Sequence, residues 1–216
     1  MYKLIAFDLD GTVADTLADL AASVNAALTM HGLPTYPKDD YRHFVGNGVD
    51  NLIRNVLADA YVPDLAQQVK ADFNAYYAAH SMDYTTDYPG MAELLSRLSA
   101  DGMMTAVISN KPDAFVPAIL RAIYPDHRFT YLSGQREGVP RKPAPDALLM
   151  LLDNLHVKRE ETLYVGDSDV DVAFAHAAGV KVCGVSWGFR GAGELITAGA
   201  DVLAHTADEL AQVIYE

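Results

Sequence analysis

The sequence predicts an α/β fold: a doubly wound parallel sheet, as in Rossmann-like cores, with an inserted all-helical unit. Short apolar runs at 103–108, 162–165 and 180–185 alternate with stretches of helical periodicity, a pattern typical of buried strands and covering helices. Strands that are apolar on both faces favour a parallel sheet covered on both sides and connected by right-handed crossovers. Residues 15–87 show helical spacing and no convincing strand, which indicates an insertion after the first strand.

The first strand is predicted at residues 3–7, and the helical insertion follows it. Apolar residues at helical spacing predict its first two helices: Leu17, Leu20, Val24 and Leu28, then Val49, Leu52, Ile53, Val56 and Leu57. Gly32 and Pro34 end the first helix, and a third helix is predicted at 65–80. The predicted domains are a Rossmann-like core at residues 1–14 and 88–216 and a helical insertion at 15–87.

The core resumes after Pro89 and Gly90, which are turn residues. Apolar residues at helical spacing from Met91 to Leu98 predict a helix that Gly102 closes. The remaining predicted elements are, in chain order, a strand at 103–108, a short strand at 129–132, a helix at 147–155, a strand at 162–165, a helix at 171–178, a strand at 180–185 and a short edge strand at 201–203. Such a sheet binds its ligand beyond the carboxyl ends of the strands.

The composition excludes several classes of partner. The 216 residues carry a formal net charge of −13, which argues against nucleic acid and anionic membranes. The single cysteine, Cys183, allows no disulfide within the chain and no cysteine-rich zinc site, and its apolar neighbours predict a buried side chain. No apolar run approaches the roughly 20 residues of a membrane span, and the first residues lead into a strand without a signal peptide. We therefore expect a cytoplasmic protein.

Two carboxylates, Asp8 and Asp10, follow the first predicted strand. Side chains two residues apart on a strand project to the same side, and Gly11 after them allows a sharp turn. Two such anions repel by roughly 4 kcal/mol at an effective dielectric constant near 20, so the pair implies a cation, a shared proton or both. This pattern is typical of a magnesium site around a carboxylate nucleophile. A solvated acidic turn is the alternative.

Three further polar clusters fall where predicted strands or helices begin or end. They are Ser109 with Asn110, Lys142, and Asp167 with Asp171. Taken alone, each has an ordinary structural explanation: a helix cap, a solvated lysine or a strand-to-helix turn. Together with Asp8 and Asp10 they would all lie at the carboxyl edge of the sheet, which favours a common site.

In this order, the clusters resemble the four motifs of the haloacid dehalogenase-like hydrolase superfamily of aspartate-nucleophile phosphatases. The matching residues are Asp8 to Thr12, Ser109, Lys142 with Pro143, and Gly166 to Asp171. The insertion resembles the cap domain of that superfamily's largest branch. Within this branch, the segments 45–48, 109–112 and 185–188 look most like the phosphoglycolate phosphatase group, although Arg141 stands where that group often has a second lysine.

The resemblance implies a role for each motif residue. Asp8 would be the nucleophile that attacks phosphorus and forms an aspartyl-phosphate, and Asp10 would protonate the leaving group and then activate water. Lys142 would bridge the phosphate and the nucleophile. The implied Mg²⁺ ligands are Asp8, the backbone carbonyl of Asp10, Asp167 and Asp171, the last either directly or through another ligand. The implied phosphate-binding residues are Gly11, Thr12, Ser109, Asn110 and Lys142.

The cap would close over the site and contact the leaving group. Gly46, Asn47 and Gly48 precede a predicted helix, so their N–H groups could face a substrate carboxylate; an ordinary turn is the alternative. Arg54 is a candidate carboxylate clamp, or else a solvated arginine. Most tyrosines of the insertion, and Trp187, are expected to pack rather than to bind a ligand.

We expect a magnesium-dependent phosphatase that hydrolyses a small phosphorylated metabolite, with 2-phosphoglycolate as the first candidate. Within the same fold, an inorganic pyrophosphatase or a sugar-phosphate phosphatase or mutase is the alternative. A phospho-accepting signalling receiver and a non-catalytic binding protein are alternatives of a different class. The sequence leaves both a monomer and a homodimer open.

Overall fold

A computed structural model describes residues 2–216, so Met1, the first residue of the predicted core, lies outside the described residues. The strands of the described chain are β1 (Leu4–Phe7), β2 (Ala14–Asp15), β3 (Thr86–Asp87), β4 (Met104–Pro112), β5 (Tyr131–Gln135), β6 (Thr162–Gly166), β7 (Lys181–Val185) and β8 (Val202–Ala204). Six of them form one sheet in the order β5-β4-β1-β6-β7-β8, and β2 pairs with β3 in a separate ribbon.

The α-helices of the described chain are α1 (Leu17–Met30), α2 (Tyr41–Phe44), α3 (Val49–Leu57), α4 (Pro63–His80), α5 (Met91–Ala100), α6 (Val116–Ile123), α7 (Asp146–Leu155), α8 (Asp169–Ala178), α9 (Gly191–Ala198) and α10 (Ala207–Tyr215). Short 3₁₀ turns lie at Lys38–Asp40, Ala58–Ala60 and Arg159–Glu161. Within residues 2–216, no helix has the length and apolar character needed to cross a membrane.

Strand β1 lies in the interior of the six-stranded sheet, between β4 and β6, and all neighbouring strands of this sheet are parallel. Leu4 aligns with Met104 on one side and with Thr162 on the other, and all four residues of β1 are buried. A strand that is paired on both edges and covered on both faces favours apolar side chains along its length. The residues that follow β1 therefore emerge near the middle of the carboxyl edge.

Helices cover both faces of the sheet, and the alternation of side chains along β1 divides the core between the two faces. Ile5 and Phe7 pack in a cluster with α5, α6 and α10. Leu4 and Ala6 pack in a second cluster with α7 and α8. A parallel sheet covered on both sides confirms the α/β fold class predicted from the sequence.

The helices between β1 and α5 build a third core of their own. Leu20 and Val24 of α1 pack with Ile53 of α3 and with Phe73 and Tyr77 of α4. This cluster is separate from the two clusters of the sheet, apart from contacts with single core residues. The segment α1 to α4 thus has its own apolar interior and rests on the carboxyl edge of the sheet.

An antiparallel ribbon joins this helical segment to the sheet, and the sequence did not predict it. In the ribbon, residues 14–15 of β2 pair with residues 86–87 of β3. The expectation that 15–87 contains no strand is therefore wrong, because strands this short carry no alternation of apolar and polar residues. Beside the ribbon, the buried carboxylate of Asp19 accepts hydrogen bonds from the N–H groups of Tyr84 (3.0 Å) and Thr85 (2.9 Å).

Strand β4 continues past its predicted end at residue 108, and β5 begins later than predicted. The extra residues of β4 include Ser109, Asn110 and Lys111, which are polar and yet buried. Polar side chains normally indicate the end of a buried strand, but here the helical segment covers them. Helices α6, α9 and α10 were not predicted; α9 contains two glycines in its first turn, which are more typical of a loop.

The expectation of a buried cysteine is confirmed, and it leads to a prediction about reactivity. Cys183 is fully buried in β7, and burial raises the pKa of its thiol to about 12. Because the thiolate is the reactive form, we expect the folded protein to resist a disulfide reagent at pH 8. Unfolding in urea should release one reactive thiol per chain, measured by absorbance of the released chromophore. If the thiol of the folded protein reacted completely and as fast as the thiol of the unfolded protein, strand β7 would have to open in the native state.

Candidate active site

Motif residues from distant parts of the sequence converge at the carboxyl edge of the sheet. Asp8 follows β1, Asp167 follows β6, and Asp171 lies in the first turn of α8. Lys142 reaches them from the segment between β5 and α7. All four side chains are buried, none of these residues being more than 7% exposed. The structure therefore brings three carboxylates and one ammonium together away from bulk water.

Two glycines allow a close approach of backbone to Asp167. A Cβ atom at Gly11, whose φ is +88°, would lie 2.2 Å from Oδ2 of Asp167, and one at Gly188 would lie 2.3 Å from its Cβ atom. The N–H group of Phe189 donates to Asp167 Oδ2 (2.6 Å), and the Thr12 hydroxyl lies 3.5 Å from Asp167 Oδ1. The Thr12 side chain is fully buried beside Asp167 and does not line the cavity; its phosphate-binding role stays a prediction.

The three carboxylates lie close enough to share a cation. One oxygen from each of Asp8, Asp167 and Asp171 lies within 4.8 Å of the other two. Burial and the neighbouring carboxylates raise the pKa of Asp8 to about 7, against the opposing effect of Lys142. The same two causes raise the pKa of Asp167 well above its ordinary range. The Oδ1 atom of Asp8 is also buried without a hydrogen bond of good geometry.

This cluster has the chemistry of a site for a hard divalent cation, because all of its donor atoms are carboxylate oxygens. A cation held by Asp8, Asp167 and Asp171 would replace their mutual repulsion with attraction. It would also add a partner for Asp8, whose buried Oδ1 atom has only the Lys142 ammonium near it, at 2.8 Å. The carboxylate of Asp10, by contrast, is directed to Lys111 and is not part of this group; only its backbone carbonyl was expected to bind metal.

Lys142 supplies the positive charge that the described cluster contains. Its Nζ atom lies 2.8 Å from Asp8 Oδ1 and 2.7 Å from Asp171 Oδ1, and it donates to the Tyr164 hydroxyl (3.1 Å). Burial lowers the pKa of Lys142, but the carboxylates of Asp171 and Asp8 outweigh burial and raise it. The ammonium group therefore stays charged between the two aspartates.

The side-chain amide of Asn110 holds the backbone around Lys142. Its Oδ1 atom accepts the N–H of Lys142 (2.9 Å), while its Nδ2 atom donates to the carbonyls of Lys142 (3.1 Å) and Gly46 (3.0 Å). Ser109, the preceding residue, lines the cavity described below, and its hydroxyl accepts the N–H of Lys111 (3.3 Å). Asn110 thus links the sheet edge, the Lys142 segment and the helical segment.

Lys111 belongs to the site, although the sequence analysis did not select it. Its Nζ atom donates to Asp10 Oδ1 (2.9 Å) and lies 4.7 Å from the centre of the Tyr77 ring. Asp10 Oδ1 also accepts the Thr16 hydroxyl (2.6 Å). A signal was available: the expected carboxylates and a phosphate dianion carry more negative charge than one Mg²⁺ and one lysine can balance. Lys111 is a buried cation beside this cluster and reduces that imbalance.

A cavity lies between the helical segment and this edge of the sheet. Asp8, Asp10, Ser109 and Lys111 line it on the side of the sheet. Its other walls are mostly apolar and come from Leu20, Val49, Leu52, Phe73, Tyr77 and Phe115. The cavity is therefore polar on the side of the sheet and mostly apolar on the side of the helical segment.

Only some of the substrate-binding candidates in the helical segment lie at the cavity. Gly46 and Gly48 line the cavity, whereas Asn47 directs its carbonyl oxygen to the side chain of Arg141 (3.1 Å). Arg54 is exposed and stacks on the ring of Tyr61, at 4.6 Å from its centre. Arg54 is not among the residues that line the cavity, and its exposed position matches the alternative of a solvated arginine rather than a carboxylate clamp.

Arginines bind the helical segment to the core around the cavity. Arg190 donates to the carbonyls of Arg42 (2.5 Å) and Val45 (3.0 Å), and Arg42 donates to the carbonyl of Gly188 (3.2 Å). Trp187 packs against the core, as expected, and its indole N–H donates to a backbone carbonyl at 3.1 Å. These contacts hold the helical segment against the edge that carries the carboxylates.

Comparison with known proteins identifies the family to which this site belongs. Residues 5–185 match the sequence profile of haloacid dehalogenase-like hydrolases. The chain belongs to the haloacid dehalogenase-like hydrolase family. The phosphoglycolate phosphatase of Pseudomonas putida is 39% identical over 193 residues, covering 87% of this chain and 71% of that protein. The phosphoglycolate phosphatase of Vibrio parahaemolyticus is 34% identical over 218 residues, covering 98% of this chain and 96% of that protein.

The fold is shared along the whole chain. The crystal structure of a protein from Lactobacillus delbrueckii subsp. bulgaricus superposes with a TM-score of 0.94 at 31% identity, covering 99% of this chain and 98% of that one. The family resemblance predicted from the sequence is therefore confirmed, together with the prediction that the chain is an enzyme, a hydrolase of the phosphatase type. A signalling receiver and a non-catalytic binding protein gain no support from these comparisons.

The raised pKa values predict how the stability of the metal-free haloacid dehalogenase-like hydrolase depends on pH. Aspartates titrate near about 4 in an unfolded chain, whereas the pKa of Asp8 is about 7 in the folded protein and that of Asp167 is also raised. A raised pKa means that the folded state binds the proton more tightly than the unfolded state. The stability that these protons contribute is complete below the pKa of the unfolded chain, and it is lost as pH rises through the pKa of the folded protein. Without metal, the melting temperature should therefore fall between pH 5 and pH 8.

A divalent cation should reverse this loss, because it binds the deprotonated carboxylates. We expect Mg²⁺ to raise the melting temperature more at pH 8 than at pH 5, by a few degrees for each 1 kcal/mol of binding energy (about 2–4 °C for a domain of this size). Differential scanning fluorimetry with and without chelator measures both effects. An equal shift at the two pH values would mean that Mg²⁺ binds elsewhere.

Proposed function

We propose that the protein is a magnesium-dependent phosphomonoesterase that forms an aspartyl-phosphate on Asp8, with 2-phosphoglycolate as its first candidate substrate. The observation that carries this proposal is the convergence of Asp8, Asp167, Asp171 and Lys142 within one buried cluster beside a cavity. The names of the relatives support the substrate. A site that pairs a buried carboxylate with a lysine and metal-type ligands is suited to phosphoryl transfer.

In the first step, a carboxylate oxygen of Asp8 attacks phosphorus in line with the ester bond. The bond from phosphorus to Asp8 forms as the bond from phosphorus to the ester oxygen breaks, and Asp10 gives its proton to the departing oxygen. In the second step, Asp10 takes a proton from water, whose oxygen attacks phosphorus and displaces the Asp8 carboxylate. Inorganic phosphate leaves, and both aspartates return to their initial state.

The negative charge of the reacting phosphate must be balanced by cations and by hydrogen-bond donors. Lys142, within 2.8 Å of Asp8, would reduce the repulsion between this carboxylate and the incoming phosphate. Ser109 and the backbone N–H groups near Gly11 and Asn110 would hold phosphate oxygens. Asp8, Asp167, Asp171 and the Asp10 carbonyl would hold Mg²⁺. When bound, Mg²⁺ neutralises charge and orients a phosphate oxygen.

The helical segment would act as a cap over this site. We assign residues 15–87 to the cap and residues 1–14 and 88–216 to the catalytic core, with the ribbon of β2 and β3 at their junction. A cap held at the cavity rim would exclude water from the aspartyl-phosphate until the leaving group departs. Its apolar cavity walls would then contact the leaving group rather than the phosphate.

Replacing the nucleophile should remove the activity while leaving the fold intact. Asp8→Asn keeps the shape of the side chain but removes its nucleophilic oxygen, so we expect kcat with 2-phosphoglycolate and Mg²⁺ to fall by about 10³-fold or more. Phosphate release measured colorimetrically gives the rate. The control is Asp169→Asn, an exposed aspartate in the first turn of α8, which should retain activity near that of the wild type. Comparable activity in Asp8→Asn would exclude Asp8 as nucleophile.

A substrate panel tests the choice of leaving group. Among 2-phosphoglycolate, inorganic pyrophosphate and hexose phosphates, we expect the highest kcat/KM for 2-phosphoglycolate, because the relatives of this chain are phosphoglycolate phosphatases. Initial rates of phosphate release at several concentrations give kcat/KM for each compound. A higher value for pyrophosphate or for a sugar phosphate would reject 2-phosphoglycolate and retain the phosphatase.

A further inference from the structure

Two polar groups that the proposed reaction does not use line the cavity where its polar side meets its apolar walls. One is the ammonium of Lys111, whose side chain is only 3% exposed, and the other is the hydroxyl of Tyr77, which is also buried. Both residues line the cavity next to Asp10. A charged group and a free hydroxyl beside apolar walls form a potential recognition point for a polar end of the leaving group.

The Tyr77 hydroxyl is buried and makes no hydrogen bond of good geometry with the described residues, although the Lys111 ammonium lies beside it. The ring cannot easily turn it elsewhere, because it stacks on Phe73 (5.5 Å between ring centres) and meets Phe115 edge-on (5.0 Å). A buried hydroxyl without a partner is unfavourable. Since burial raises the pKa of Tyr77, the group remains a neutral hydroxyl that can donate to an oxygen acceptor.

Lys111 is the only positively charged side chain among the residues that line this cavity. Two other candidates are directed elsewhere: Arg54 stacks on the half-buried ring of Tyr61, and Arg141 binds the carbonyl of Asn47 and the carboxylate of Asp50. Burial lowers the pKa of Lys111, but the Asp10 carboxylate outweighs burial and raises it, so the ammonium stays charged. An anionic end group of a substrate would therefore be drawn to Lys111.

The position of Lys111 also limits the length of such a substrate. Its Nζ atom is one hydrogen bond, 2.9 Å, from the carboxyl group that would protonate the departing oxygen. A group attached within two or three bonds of that oxygen can therefore reach the ammonium. A carboxylate one carbon away from the ester oxygen fits this spacing.

We propose that Lys111 Nζ and Tyr77 Oη form the subsite that binds the carboxylate of a short phosphomonoester, and so determine which leaving groups the enzyme accepts. This inference rests on the proposed phosphatase function. A charge-assisted bond from Lys111 and a second bond from Tyr77 would satisfy both oxygens of one carboxylate. The apolar walls would close around the single carbon between carboxylate and ester.

The test compares 2-phosphoglycolate with ethyl phosphate, which has the same two-carbon length and no carboxylate. The measured quantity is the preference ratio, kcat/KM for 2-phosphoglycolate divided by kcat/KM for ethyl phosphate. We expect this ratio to fall about tenfold or more in Lys111→Met and severalfold in Tyr77→Phe, because each loses one bond to the carboxylate. Lys111→Arg, which keeps the charge, should retain more of the preference than Lys111→Met.

Matched controls separate recognition from folding and from effects on Asp10. Tyr76→Phe removes the same atom from the neighbouring position of α4, and Lys70→Met removes an exposed ammonium from the same helix; both should leave the ratio unchanged. Because Tyr77→Phe keeps the ring and its packing, it remains informative if Lys111→Met does not fold.

Three results would overturn the subsite. In the first, Lys111→Met and Tyr77→Phe lower kcat/KM equally for both substrates, so the preference ratio stays within about twofold of the wild-type value. In the second, the wild type releases phosphate from ethyl phosphate as efficiently as from 2-phosphoglycolate; the phosphatase function then stands without this subsite. In the third, the wild type with Mg²⁺ releases phosphate from no ester, which rejects the proposed function together with the subsite.

Discussion

The buried carboxylates of Asp8, Asp167 and Asp171 repel one another, and much of the surrounding structure holds them together despite this repulsion. Their ligating oxygens lie within 4.8 Å of one another, and burial removes the water that would screen their charges. An arrangement of this kind is stable when a cation or a proton joins it. The raised pKa of Asp8 reports the protonated alternative, and the ammonium of Lys142 supplies part of the positive charge.

The two buried lysines of the site pair with different aspartates. Lys142 lies between Asp8 and Asp171, where the metal ligands converge, whereas Lys111 pairs with Asp10, whose carboxylate is not in that cluster. A chain with a net charge of −13 repels anionic substrates at long range. The balance is therefore local, and buried ammonium groups act strongly because water does not screen them.

The sequence could predict the parts of the site that directly follow an apolar strand or match a family motif. Asp8 follows a continuous apolar run, so its place at the end of a buried strand could be read directly, and Asp167 follows from the same reasoning. The surroundings of Lys111, Tyr77 and Thr12 could not be predicted, because they depend on which side chains of another segment face these residues. Whether Arg54 faces the cavity depends on the rotation of α3 about its axis, and a helical stripe of leucines and valines determines that rotation only to within a residue or two.

Asn110 shows why the catalytic edge and the cap form a single site. One planar amide binds the backbone of Lys142 through two hydrogen bonds and the Gly46 carbonyl of the helical segment through a third. If the helical segment moves away, the amide loses its bond to Gly46 but keeps its two bonds to Lys142. The position of Lys142, and hence its contact with Asp8, is therefore defined from the core alone, while the third bond favours the closed cap. In the proposed reaction, the charge beside Asp8 would be present in advance, and closure of the helical segment would add the apolar walls around the leaving group.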